Sequence, residues 1–363
     1  MRGRALAAIL LVAGCAPDAP VSLPQFVDAG TSATADSAVV ADVDAGDVVQ
    51  VDVAPDSAKD PCAGLDCDDG NACTNDVCVP LTGCSHGSAQ PGTSCDNGGT
   101  CDGTGNCTSS VPLGMVLIPS GTFWMGCNSA KDGNCHEDEK PQHSVTLSAY
   151  YMDLTETTVG QYKACVDAGV CTEPSSVQPD PTATYPGLTN HPVNYLNWMQ
   201  SRQFCQWRGA AYDLPTEAQW ELAARGSCEQ NGSQSNDAGC AAAMRTYPWG
   251  EAVATCSYAV MSDGTYGCGT NATWAVGSKT SGDSPYGLHD MAGNIWEWNR
   301  DWYGPYSLDA QTDPSGPSSA SYRVLRGGVF GGVAVDLRAG HRNPEPPSSA
   351  YVLYGLRCMR SVP

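Results

Sequence analysis

Between Gly287 and Trp298 the chain reads GLHDMAGNIWEW, with carboxylates at Asp290 and Glu297 on either side of a Gly-Asn bend at Gly293 and Asn294. Hard oxygen donors of this kind suit calcium, which also accepts backbone carbonyls, and such a bend turns carbonyls toward one point. The competing reading is that Trp296 and Trp298 pack in a core while the acids satisfy nearby amides. Other chemistry finds less footing. The six histidines scatter without an HxxxH or HxH pair, and neither the GxSxG elbow nor a phosphate loop occurs. His341 beside Arg342 is a candidate to face a substrate groove, although a structural histidine is the commoner case. The acidic run His136 to Glu139 reads as a solvated loop.

Three helices are expected to position these residues. Thr216 can cap a helix with Gln219 three residues on, with Pro215 before it and Gly226 ending it. A second is expected from near Asn197 to Gly209, with Trp198, Ser201, Cys205 and Arg208 along one face. A third follows Thr158, which can box with Gln161. Elsewhere short strand candidates such as SVTLSAYYM, from Ser144 to Met152, alternate with Gly- and Pro-rich turns. Much irregular backbone is expected.

Further segments stand in a fixed order around the first: GMVLIPSGTFWMG (Gly114 to Gly126), HPVNYLNW (His191 to Trp198), LPTEAQWELAARG (Leu214 to Gly226), RVLRGG (Arg323 to Gly328) and YGLRC (Tyr354 to Cys358). Together they resemble the sulfatase-modifying-factor family, whose founding members are the formylglycine-generating enzymes. The resemblance implies an irregular α/β fold related to the C-type lectins, here preceded by a small disulfide-rich module. It also implies a structural calcium ion on Asp290, the carbonyls of Gly293 and Ile295, and Glu297. A second calcium position falls near Ser257 to Met261, where Val260 replaces a ligand asparagine. The oxidases of the family hold cuprous copper on two cysteines shortly after the Gly-Gly, but here GGVFGGVAVDLRAGHRNPEPP follows Arg326, and no cysteine lies between Cys268 and Cys358. Gly331, Gly332 and Asp336 cannot replace soft thiolates, so copper is not expected. Iron-dependent relatives carry three metal histidines in a preceding helical domain; only His86 is available there.

Nineteen cysteines argue for an oxidising compartment. Setting Cys15 aside leaves eight between Cys62 and Cys107 and ten between Cys127 and Cys358. Close spacing favours Cys127 with Cys135, Cys165 with Cys171, Cys228 with Cys240 and Cys256 with Cys268, which leaves Cys205 for Cys358. In the smaller set the connectivity stays open. Asp66, Asp68, Asp69 and Asp76 there depart from the helix-loop-helix calcium pattern, so solvated turns in a stapled spacer are the favoured reading.

The N-terminus supplies the remaining organisation. Arg2 and Arg4 precede the apolar run Ala5 to Ala13, too short to span a bilayer, and Val12-Ala13-Gly14-Cys15 resembles a lipobox. The expected order is a lipoprotein signal peptide (1–14), lipidated Cys15 and a disordered tether (15–60), the cysteine-rich module (61–109) and the family domain (110–363). The tether carries nine Asp against the single Lys59. With a net charge of −21, nucleic acid is excluded as a partner. The expectation is an envelope lipoprotein, anchored to the membrane and facing the periplasm or cell surface. Its domain would bind a peptide, protein or glycan in a groove formed by Trp296, Trp298, Trp302, Arg338, His341 and Arg342. A divergent oxidase making formylglycine from a sulfatase-type cysteine is the alternative.

Overall fold

A computed structural model describes residues 62, 65–79, 82–91, 93–95, 99–108, 111–175, 182–233 and 238–362. Cys15 and the segments around it lie outside the described residues. No helix among the described residues is long and apolar enough to cross a membrane.

The cysteine-rich module is built from two small antiparallel sheets. One pairs β1 (Thr74–Val79) with β2 (Gly83–Ser88); the other joins β3 (Ser94–Cys95), β4 (Gly99–Cys101) and β5 (Cys107–Thr108). Among the described residues its buried cluster is Cys73, Ala89 and Cys101, with Cys95 packed against it. Covalent links therefore replace a core: Cys62–Cys78, Cys67–Cys84, Cys73–Cys101 and Cys95–Cys107.

The larger domain is mixed α/β, mostly short sheets with few helices. β6 (Met115–Ile118), β7 (Gly121–Met125), β8 (His143–Leu147) and β9 (Tyr150–Asp153) come first, followed by α1 (Val159–Asp167) and α2 (Trp198–Trp207). Then follow β10 (Tyr212–Asp213), α3 (Glu217–Arg225) and α4 (Ala238–Ala243). The chain ends in β11 (Trp296–Trp302), β12 (Gln311–Thr312), β13 (Arg323–Arg326), β14 (Asn343–Glu345), β15 (Tyr354–Gly355) and β16 (Met359–Ser361). They form three sheets, ordered β10-β16-β9-β6, β14-β13-β11-β15 and β12-β8-β7.

All three expected helices form, each opened by a complete capping box at Thr158, Asn197 or Thr216. Helix α3 is buried along almost its whole length, with Trp220, Leu222, Ala223 and Ala224 fully inside. The run Ser144 to Met152 is not one strand. It divides into β8 and β9, which belong to different sheets, and the corner is pinned where Ser148 donates its N–H and hydroxyl to Asp313, both at 2.8 Å. That partner is distant in sequence, so nothing local marks the break.

The five disulfides of this domain are the four closely spaced pairs, Cys127–Cys135, Cys165–Cys171, Cys228–Cys240 and Cys256–Cys268, and Cys205–Cys358, the pair left by elimination. Cys205–Cys358 ties α2 to the residue just before β16 across 153 positions.

Candidate functional site

Glycine-dependent bends put the Asp290 to Glu297 segment in place. Asp290 and Asn294 both hold positive φ, at 54° and 58°. Gly293 lies at φ +86°, where a Cβ would stand 2.5 Å from the carbonyl oxygen of Val260. Val260 itself is buried, and its carbonyl accepts the Asn294 N–H, so the backbone at Val260 braces this bend.

Three carboxylates surround it. Glu297 on β11 is fully buried; Arg357 grips it through Nε and Nη2, both at 2.7 Å, and the Trp220 indole donates to Oε2 at 2.7 Å. Asp290 accepts the N–H of Gly277. Burial raises its carboxyl pKa despite that bond and the nearby Arg357. Glu156, also fully buried, accepts Asn294 Nδ2 on Oε1 at 3.0 Å, while Oε2 has no hydrogen-bond partner. Burial pushes its pKa well up, and the charge of Asp290 adds to the shift. Sequence reasoning missed Glu156, since nothing local links it to a bend 138 residues away.

These residues fit a divalent cation. Arg357 is the cation facing three buried acids, an oxygen is orphaned, and every donor is hard. Calcium, if bound, would be held by Asp290, by carbonyls of the bend and by Glu297, with Glu156 alongside.

The segment after Gly327 and Gly328 is closely packed. Both glycines have positive φ, and a Cβ on Gly328 would meet the carbonyl oxygen of Asp336 at 2.8 Å. Val329 and Phe330 turn inward, and Asp336 closes a short turn by accepting the Val333 N–H at 2.9 Å. No sulfur atom is carried between Gly327 and Cys358.

The six expected groove residues separate into three places. Trp298 is wholly buried, its indole donating to the carbonyl of Leu196 and its ring edge-on to Tyr354, so it is a core residue and not a groove wall. Trp302 and Arg342 line a cavity of about 440 Å³ with Glu217, Asp301, Tyr306 and His143. There Arg342 forks onto Glu217 with two bonds of 2.7 Å and lies over the Tyr303 and Tyr306 rings. Burial alone would raise the Glu217 pKa, but Arg342 and Arg326 hold it below the usual range. Asp301 sits behind it, accepting the Glu217 N–H at 3.0 Å; burial and the Glu217 charge push its pKa up to about 7.

Trp296, Arg338 and His341 form the third place, and here the acidic loop is corrected. Glu139 is not solvated: it is fully buried, clamped by Arg338 at 2.6 and 2.7 Å and met by His341 Nδ1 at 3.1 Å. Burial works to raise its pKa, but His341 and Arg338 bring it down to about 2. An arginine 199 residues away decides that burial, which the charge run could not foretell.

Comparison with known proteins agrees with this architecture. The family model described as "Sulfatase-modifying factor enzyme 1-like domain" matches residues 105–362, starting inside the cysteine-rich module. A protein named serine/threonine-protein kinase pkn1 from Chlamydia pneumoniae is 32% identical over 269 residues, covering 68% of this chain and 38% of that protein. The chain thus spans well under half of that relative. The formylglycine-generating enzyme of Thermomonospora curvata is 27% identical, covering 68% of this chain and 93% of that enzyme. Among solved structures, PvdO from Pseudomonas aeruginosa is similar with a TM-score of 0.53 and 22% identity, over 76% of this chain and all of that one. Because that family model covers residues 105–362, well over half of the chain, the chain belongs to the sulfatase-modifying-factor family.

Proposed function

We propose that this chain is a lipid-anchored protein of the bacterial envelope whose sulfatase-modifying-factor domain is a calcium-stabilised binding or accessory module, without copper-oxidase chemistry. The segment after Gly327-Gly328 carries the reading. Where the oxidases place thiolates, this chain has Gly331, Gly332 and Asp336, and the ten cysteines from Cys127 to Cys358 are all held in disulfides. Hard carboxylate and carbonyl oxygens bind cuprous copper poorly. Binding is then left to surfaces such as the cavity beside Trp302 and Arg342, whose lining of rings, prolines and charges suits a peptide, protein or glycan.

The deciding experiment loads purified protein with copper and offers a cysteine-containing sulfatase-motif peptide. Mass spectrometry is expected to show the cysteine intact; aldehyde formed over many turnovers would overturn the reading. For the anchor, a fatty-acid analogue is expected to label the wild type and not Cys15→Ala, and equal labelling would refute it.

For calcium, a chelator is expected to lower the melting temperature of the wild type. An ion present at a hundredfold its dissociation constant contributes about 2.7 kcal/mol. Asp290→Ala is expected to abolish that response. Glu297 is the poorer probe, because its loss also strands Arg357 and Trp220. A chelator response of equal size in Asp290→Ala would count against the site.

A further inference from the structure

We propose that His136, Glu139 and His341 form a binding site for a divalent transition-metal ion of the zinc class. It is distinct from the calcium bend and independent of whether that bend is filled. The fold brings the three together from segments about two hundred residues apart. His136 opens the short helical turn Glu137–Glu139, which carries Glu139 inward, and His341 lies in the segment running from Gly328 to β14.

The geometry is that of three ligands around one point. One ring nitrogen from each histidine and one Glu139 oxygen all lie within 4.8 Å of one another. His341 Nδ1 is 3.1 Å and His136 Nδ1 3.8 Å from the same oxygen, Oε1, and the rings meet edge to face at 5.0 Å. Ligands at zinc distances of about 2.0 to 2.1 Å in tetrahedral array stand roughly 3.4 Å apart, so closure onto an ion needs only small shifts. His136, with 49% of its side chain exposed, is free to make them.

Hydrogen bonding alone does not account for this convergence. Oε1 accepts Arg338 Nη2 at 2.7 Å and is met by His341 Nδ1 at 3.1 Å, whereas His136 Nδ1 points to the same oxygen from 3.8 Å, beyond hydrogen-bond reach. A cation accounts for the approach of His136: it takes the free lone pair of each imidazole and the second lone pair of Oε1. Arg338 then acts as the outer support that orients a ligating carboxylate. Arg338 is itself fixed by Asp132 at 3.3 Å and the carbonyl of Val335, and the Trp296 ring packs 5.6 Å from His341. Two imidazoles and one carboxylate form a borderline set suited to zinc, and exposed His136 leaves the fourth position to water.

The test is calorimetric titration of tag-free, full-chain protein with Zn²⁺ near neutral pH, with Co²⁺ absorption as a second readout. One equivalent is expected to bind with a visible Co²⁺ spectrum of low coordination number. His136→Ala and His341→Gln are each expected to weaken binding at least about tenfold. His136 is largely exposed, so its variant keeps the metal-free melting temperature and separates ligation from folding. His86→Ala, in the exposed cluster with Asp69 and Asp76, is expected to change nothing. The proposal is overturned if no saturable binding occurs below roughly 100 micromolar. It is equally overturned if His136→Ala binds as the wild type does, or if only His86→Ala loses the ion.

Discussion

Glu221→Ala is expected to destabilise the domain by about 3 to 5 kcal/mol, because it strips the anion from a buried pair of arginines. Glu221 on α3 is fully buried. Its Oε1 accepts the Gly126 N–H and Arg225 Nη1, both at 2.8 Å, and its Oε2 pairs with Arg326 Nη2. Arg326 is also fully buried, stacked over Trp220 and bonded to the carbonyl of His341, while its Nε has no hydrogen-bond partner and faces Glu217 at 3.5 Å. Without Glu221, Arg225 keeps only backbone carbonyls as partners, and Arg326 must share Glu217 with Arg342. The exposed pair Lys163 and Asp167 serves as the control: Asp167→Ala is expected to cost under about 1 kcal/mol. Denaturant midpoints measure both, and a Glu221→Ala loss as small as that of Asp167→Ala would show that the buried charges find other partners.

Replacing Cys205 and Cys358 together with alanine is expected to cost about 5 kcal/mol, the largest effect of any disulfide here. In the chain-entropy account the gain from a cross-link grows with the loop it closes, reaching about 4.7 kcal/mol for a hundred residues. This one closes 153 positions, whereas Cys165–Cys171 closes six. Removing the short link is therefore expected to cost visibly less. Unfolding without reductant ranks the two, and the reverse order would mean that the fold retains its long-range restraint in the denatured state.

The parts of the fold that local chemistry specifies were legible in the chain. Thr158, Asn197 and Thr216 announce helices because a cap and its box partner lie three residues apart. The bend at Gly293 was legible as well, and its positive φ and the close approach of Val260 leave no room for a side chain. What stayed hidden depends on partners far along the chain. Glu139 looks solvated until Arg338 arrives, Ser148 looks like mid-strand until Asp313 bonds to it, and Trp298 is indistinguishable from a groove wall by type alone. The histidines illustrate the same limit. Spacing within a segment could not suggest that His136 and His341 meet, because the turn at Glu139 and the Gly-Gly bend set that encounter.

The placement of the last strands has a consequence for how the molecule is made. β16 is inserted between β10 and β9, so the sheet begun by β6 stays split until residues near 360 are available. β15 joins β11 in parallel at the edge of the sheet β14-β13-β11-β15, and Cys358, between β15 and β16, closes the longest link. The last strand therefore acts as the joint of the sheet β10-β16-β9-β6, in which β10 on one side and the β9-β6 pair on the other meet only through β16.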